Sequence, residues 1–215
     1  MRLLVLDIET TGLRREEHDI TVVALAELDT ETGTIHDAHC VNLLRARDDK
    51  ADDRALLAGI CAKLDACDRI VAFNGIAFDL PFIAHKAAHT GAAAWNAKAI
   101  DFCAFIFEAS GQRVGMAALC ASNTLAVAKS ASGLQAIAWA EERAHAELEE
   151  YCLQDVLVLI ELTKRSLAAP LLAEVGPRHA RRTLRLFFRV DPATCQTVLV
   201  ADKRARVTHP TLLLD

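Results

Sequence analysis

The sequence predicts an α/β fold, a mixed five-stranded sheet flanked by helices, with a C-terminal β-hairpin extension. Three observations carry that prediction. Residues 1–43 hold three apolar, strand-like runs in close succession. From residue 52 the apolar residues switch to a helical period. Short apolar runs then alternate with helical stretches, an order that belongs to the α/β class. The length of 215 residues suits one domain, or one domain with a small annex.

Each element has its own reason. Leu3 to Ile8 is a short apolar run that meets acidic residues at its end, which reads as a buried strand opening into a site. Residues 20–28 and 34–43 are two further strands, joined by the polar turn Asp29-Thr30-Glu31-Thr32-Gly33, so the chain begins as an antiparallel meander. In residues 52–66, Leu56, Leu57, Ile60, Cys61 and Leu64 recur at helical spacing behind an aspartate cap. Residues 69–73 form a short buried strand, broken by Asn74-Gly75. Pro81 suits the first turn of a helix over about 80–90, and residues 98–102 make a fifth strand. Helices follow over about 103–109, 113–121, 134–142 and 145–168, with Lys129 to Gly133 as a loop. Pro170 and Gly176-Pro177 end the helical region. Residues 183–190 and 196–202, around Asp191-Pro192-Ala193, read as the terminal hairpin. The expected division is therefore 1–170 as the main domain and 171–215 as a basic extension packed on it.

Composition narrows the function. Hydrophobic residues make up 53% of the chain but aromatics only 5%, so aliphatic side chains and alanine must fill the core. No run approaches the ~18 apolar residues of a membrane span, and Leu3–Leu6 is too short for a signal-peptide core. A soluble, intracellular protein, cytoplasmic or nuclear, with no membrane partner is expected. Seven cysteines without a CxxC pair read as buried thiols of a reducing compartment, and the eight histidines as surface or satisfied core residues. The net charge of −5 does not favour gripping nucleic acid by charge alone. Residues 176–215, however, carry eight Lys/Arg against three Asp, a local +5. The remainder of the chain is then at −10, so an acidic body meets a basic tail.

The candidate chemistry lies in the acidic body. Asp7 and Glu9 alternate with Ile8 on a strand, so both carboxylates share one face roughly 7 Å apart. Asp79 follows a strand and a tight turn and precedes Pro81, where an aspartate can equally cap a helix. Tyr151, the only tyrosine of the chain, stands four residues before Asp155, on one helix face. Alternatives exist for each: a strand end, a cap, a core tyrosine beside a surface aspartate. No GxGxxG and no GxxxxGK[ST] is present, which disfavours the common nucleotide-binding folds.

Taken together, LDIETTG (6–12), FNGIAFDLPF (73–82) and YCLQD (151–155) resemble the three motifs of the DEDDy 3′–5′ exonucleases of the ribonuclease H-like superfamily. The second motif most resembles the proofreading domain of family-B DNA polymerases and its stand-alone relatives. The resemblance covers residues 1 to about 168. Each motif alone is weak, and their order and spacing make them specific. The histidine branch of the group would carry histidine five residues before the last aspartate, where this chain has Glu150.

The resemblance implies a ribonuclease H-like fold and metal-dependent 3′–5′ hydrolysis of single-stranded nucleic acid ends, DNA favoured over RNA. It implies two divalent cations, Mg²⁺ or Mn²⁺. Asp7 would bridge both ions, Glu9 and Asp155 would hold the tighter one, and Asp79 the second. Tyr151 would position the attacking water. By the same resemblance Thr10, Thr11 and Leu13 would lie beside the last nucleotide and Asn74 and Phe78 would line the groove, although Leu13 and Phe78 also fit an ordinary core. Lys129 and Ser130 are further phosphate-contact candidates. The expected partner is a DNA or RNA 3′ end, with room for a polymerase, helicase or repair protein. Two other readings remain: a structure-specific endonuclease sharing the carboxylates, and a non-catalytic nucleic-acid-binding module that keeps the fold.

Overall fold

The computed structural model describes residues 1–125, 132–177, 181–191 and 196–202. It begins with the expected meander: β1 (Arg2–Thr10), β2 (Ile20–Asp29) and β3 (Ile35–Asn42), each antiparallel to the next. The turn between β2 and β3 places Gly33 at φ +69°, where a residue without Cβ carries no steric cost. Two helices follow, α1 (Leu43–Asp48) and α2 (Asp53–Ala66). β4 (Arg69–Ala72) then pairs parallel with β1. Beyond α3 (Asp79–Lys86) and α4 (Ala92–Ala97), β5 (Ala99–Asp101) pairs parallel with β4. The sheet order β3-β2-β1-β4-β5 is the mixed five-stranded sheet that the sequence predicts.

Both faces of β1 are covered, and its alternation decides what each face meets. Leu4, Leu6 and Ile8 pack with Leu57, Ile60 and Leu64 of α2 and with Leu80 and Ile83 of α3. Leu3 and Val5 point the other way. They share a core with Val22 and Ala24 of β2 and with Leu148, Cys152, Val156 and Leu159 of α8 (His145–Ala168). Each fully buried Leu, Val or Ile contributes about 1.5–3 kcal/mol relative to an exposed one. Asp7 and Glu9 continue this second face toward the strand's C-terminal end, so α8 is the helix they meet.

Between β5 and α8 run α5 (Phe102–Ser110), α6 (Met116–Ser122) and α7 (Gly133–Glu141). After α8 a second sheet forms from β6 (Leu171–Val175), β7 (Arg182–Asp191) and β8 (Gln196–Asp202), in that order and antiparallel throughout. The expected hairpin is β7–β8, and β6 adds a third strand. Leu171, Ala173, Val175, Leu184 and Leu186 are buried in the same core as α8. The Asp191-Pro192-Ala193 turn falls beyond Asp191 outside the described residues.

Three elements differ from expectation for local reasons. α1 is only six residues long, too short to show a period, and starts where Asn42 Oδ1 accepts from the Arg45 N–H at 2.8 Å. α4 is alanine around one anchor, Trp95, which is fully buried and donates from Nε1 to Asp65 Oδ1 at 2.7 Å. β6 alternates buried Leu171, Ala173 and Val175 with more exposed Leu172 and Glu174, but alanine at its centre weakens the signal. In addition, α3 ends four residues earlier than expected, with Ala88 at φ +50° turning the chain away. Among the described residues, no helix is long and apolar enough to cross a membrane.

Candidate functional site

Three carboxylates converge at the end of β1. An oxygen of each of Asp7, Glu9 and Asp155 lies within 4.8 Å of the other two. Glu9 and Asp155 are buried and Asp7 is partly exposed. Two positions come from one strand at the period of two, and the third from α8, which packs across that face. Carboxylate oxygens at this spacing are a donor set for a hard divalent cation such as Mg²⁺ or Mn²⁺. Without a cation, the mutual repulsion of three close negative charges costs stability.

Asp79 takes a different position. It is the first residue of α3, and the preceding Phe78 is the N-cap, without a side-chain capping bond. The Asp79 carboxylate accepts from its own backbone N–H, and its Oδ1 also accepts from the backbone N–H of Ile8, between Asp7 and Glu9, at 3.1 Å. Asp79 is 4% exposed. Burial raises its pKa to about 7, with a further push from the negative charge of Asp101, against the lowering effect of its backbone hydrogen bonds. Asp79 stands beside the triad rather than in it.

The turn that delivers Asp79 is built around a second buried carboxylate, one that sequence reasoning missed. Asp101, 4% exposed, ends β5. Its Oδ1 accepts from the N–H of Asn74 at 2.8 Å and of Ala104 at 3.0 Å, and its Oδ2 from the N–H of Ile76 at 3.0 Å. One side chain thus caps α5 and clamps the 74–76 turn. The signal that could have found it is an aspartate at a strand end just before a helix, a capping position. Asn74 sits at φ +69°, in the left-handed region, and Gly75 follows it. A Cβ on Gly75 would collide with the Ala72 side chain and stand 3.6 Å from Asp79 Oδ2, so the turn needs a glycine there.

Tyr151 is 3% exposed, one helical turn before Asp155 on α8. Its hydroxyl donates to the Asp155 carboxylate. Burial first, then the negative charges of Asp155, Glu9 and Asp7, hold its pKa well above the ordinary tyrosine range. The ring meets Trp139 of α7 edge-on, with centroids 5.9 Å apart. Cys152, the next residue, is fully buried and points its thiol at the Asp7 carbonyl, 3.4 Å away. Burial and the carboxylates of Asp7 and Glu9 push that thiol far up, so it remains a neutral packing group. Glu150, on the same helix, is exposed.

The remaining expected positions divide. Thr10 is buried, and its hydroxyl donates to the Gly12 carbonyl at 2.7 Å across a bulge that ends the β1–β2 register. Thr11 closes the loop by accepting from the Asp19 N–H at 2.9 Å on Oγ1. Leu13 is 80% exposed, which excludes the core reading for it. Phe78 is half-buried, tilted against Phe82 at 5.4 Å, and packs partly against the α2–α3 core. Asn74 Oδ1 accepts from Arg113 Nη1 at 3.0 Å. Lys129 and Ser130 lie outside the described residues. His85 and His89 stand four residues apart, a spacing that can serve a metal. Here the His89 ring stacks on Trp95 at 4.9 Å and pairs with Asp65 at 3.3 Å. Six cysteines are free thiols among the described residues.

A family profile described as the RNase_H superfamily matches residues 4–167, most of the chain. No curated protein matches the sequence. Among solved structures, an exonuclease I matches at 14% identity and TM-score 0.52, over 93% of this chain and 55% of its own. The family B DNA polymerase of Pyrobaculum calidifontis matches at 13% identity and TM-score 0.49, over 77% of this chain and 25% of the polymerase. E. coli exonuclease I in complex with a dA16 oligonucleotide matches at 14% identity and TM-score 0.46, over 89% of this chain and 52% of its own. This chain spans about half the length of the exonuclease I chains it matches. At these identities the likeness is one of fold.

Proposed function

This chain belongs to the RNase H superfamily, and from that premise we propose that it is a metal-dependent 3′–5′ exonuclease acting on single-stranded nucleic acid ends. The observation that carries this reading is the convergence of Asp7, Glu9 and Asp155 within 4.8 Å, with the Tyr151 hydroxyl bonded to Asp155. The resemblance of all three motifs to the DEDDy 3′–5′ exonucleases supports the polarity, and DNA is favoured over RNA. In this reading residues 1–170 form the catalytic unit, and 171–215 is a basic extension packed on it.

Asp7, Glu9 and Asp155 would supply oxygen donors for one ion, and Asp79 and Asp7 would help to hold a second. Two bound divalent cations would stabilise the charge that builds on the phosphoryl and leaving oxygens and would acidify the attacking water. The chain's own residues do the rest. In the metal-free chain burial and then three carboxylates oppose ionisation of Tyr151. With its proton committed to Asp155, its oxygen lone pairs accept from a water and orient it toward phosphorus. The bond between phosphorus and the 3′ oxygen breaks, a proton passes to that oxygen, and a nucleoside 5′-monophosphate leaves. Leu13, exposed on the loop after β1, and Phe78, half-buried before α3, offer apolar surface to the terminal bases, contacts that tolerate sequence. Thr10, Thr11 and Asn74 shape the loops around that end.

Incubation of 5′-labelled single strands of DNA and of RNA with Mg²⁺ or Mn²⁺ tests the proposal. A ladder shortening from the 3′ end, absent with chelator and absent on a circular strand, is the expected result. Cleavage of the circle would assign an endonuclease instead. No cleavage of any strand with either ion would leave a binding module.

A further inference from the structure

Most arginines with described side chains are neutralised by a carboxylate. Arg45 pairs with Glu149, Arg47 with Asp19 and Asp53, Arg143 with Asp48, and Arg181 with Glu174. Arg113 and Arg182, like Arg54, Arg69 and Arg185, have no such partner among the described residues. Arg113 donates to the Asn74 side-chain carbonyl at 3.0 Å, and Arg182 Nη2 to the Ser110 carbonyl at 3.1 Å. Both acceptors are neutral, so neither exposed guanidinium group is paired with a negative charge there. Beside them lies an uncovered ring. Phe107 is 48% exposed, and the Arg113 guanidinium stands 5.5 Å from its centroid.

These groups are connected. Ser110, held by Arg182, and Arg113 are three residues apart, a span of at most roughly 11 Å. The segment is fixed to the second sheet a second time, by the Gly176 N–H donating to Gln112 Oε1 at 2.6 Å. At its other end, Arg113 holds Asn74, the neighbour of Gly75. Gly75 opens the turn that leads into Asp79, whose Oδ2 would stand 3.6 Å from a Cβ at Gly75. A row of two free cations and an aromatic face thus leads from the carboxylate cluster toward the basic second sheet.

A cluster of carboxylates repels a phosphate chain, so a strand whose end enters it needs cations elsewhere along its backbone. We propose that Arg113 and Arg182, with the exposed Phe107 ring, form a track that holds the phosphodiester backbone of a single strand on the 5′ side of the scissile bond. The inference rests on the exonuclease reading for the direction of the strand. Guanidinium groups bind phosphate oxygens through paired N–H donors, and an aromatic face stacks a base without regard to sequence.

Fluorescence anisotropy with a labelled oligothymidylate in chelator, so that the strand stays intact, reads the track directly. Removing one phosphate-binding cation should reduce the slope of log affinity against log salt by about 0.7. The double variant Arg113→Gln/Arg182→Gln should bind on the order of tenfold more weakly at about 0.1 M salt. Arg113→Lys should retain most of the slope, and Arg54→Gln, an exposed arginine on α2, all of it. Unchanged affinity and slope in the double variant overturn the track, as does an equal loss in Arg54→Gln. Hydrolysis of the p-nitrophenyl ester of thymidine 5′-phosphate by the wild-type chain with Mn²⁺ separates the two claims. If the ester is cleaved while strand binding ignores both arginines, the track fails and the nuclease reading stands. If the wild-type chain neither cleaves the ester nor binds the strand, both fail.

Discussion

The backbone N–H of Ile8 donates to Asp79 Oδ1 at 3.1 Å, joining β1 to the first residue of α3 across seventy-one positions of sequence. The bond fixes Asp79 beside the carboxylates of β1. The Asp79 N–H adds a second backbone donor to the same carboxylate.

That burial has a pH consequence. Asp79 has its pKa raised from 3.8 to about 7, first by desolvation and then by Asp101. Between those two values the metal-free folded chain holds a proton that the unfolded chain has lost. Its contribution to stability is full below about pH 4 and is lost as the pH rises through about 7. Asp79→Asn cannot ionise and still offers an oxygen to the Ile8 N–H. In chelator, D79N should melt higher than wild type at pH 8, by at most a few kcal/mol, with the gap closing near pH 4. Divalent cation reverses the preference, because it favours the carboxylate, and its binding to wild type should strengthen as the pH rises through about 7. Thermal melts of both chains over this range, with and without Mn²⁺, check both signs. Identical pH profiles for the two chains would refute the assignment of Asp79 as the titrating group.

Tyr151→Phe removes one hydroxyl from a packed ring. Trp139 holds the ring edge-on at 5.9 Å and should hold the variant's ring equally. The lost hydrogen bond to Asp155 should cost about 1 kcal/mol in stability. The rate of end hydrolysis should fall on the order of 10²-fold in kcat, with KM little changed, because the attacking water loses its orientation. Steady-state kinetics alongside denaturant melts separate the two effects. A large rise in KM at constant kcat would place the hydroxyl on the substrate rather than the water.

Asp101→Asn tests the clamp on the 74–76 turn. An amide in place of the carboxylate turns one acceptor into a donor facing an N–H, of Ile76 in one orientation or of Asn74 and Ala104 in the other. The expected loss is about 1–3 kcal/mol, the cost of an unsatisfied buried group. Hydrolysis should weaken as well, since the same turn carries Asn74 and leads to Asp79. Urea titration with a parallel rate measurement checks this, and unchanged values in both would show that the turn does not depend on Asp101.

Much of this arrangement was legible in the sequence, for reasons that differ by residue. Asp7 and Glu9 could be placed on one face because the strand period is two, and Tyr151 and Asp155 because one helical turn separates them. The meander, the parallel strands and the long α8 followed from apolar periodicity. The hidden parts depend on interactions distant in sequence. Asp79 reads as either a helix cap or a site residue, and nothing local shows that the Ile8 amide holds it. Asp101 reads as the end of a short strand, and nothing local reveals that the turn twenty-five residues earlier hangs from it. Leu13 reads equally as core or surface, and only the loop geometry leaves it 80% exposed. α4 and β6 escaped because alanine carries almost no periodic signal.

The central claim is that the convergent carboxylates of β1 and α8 perform metal-dependent hydrolysis. The most direct measurement is the rate of nucleotide release from a 5′-labelled single strand by Asp155→Asn and Asp7→Asn beside wild type, with Mn²⁺ present and folding verified by circular dichroism. The prediction is a loss of several orders of magnitude in both variants with the fold intact, because each removes a charged donor from the triad proposed to hold the metal. Near-wild-type release by either folded variant would contradict it.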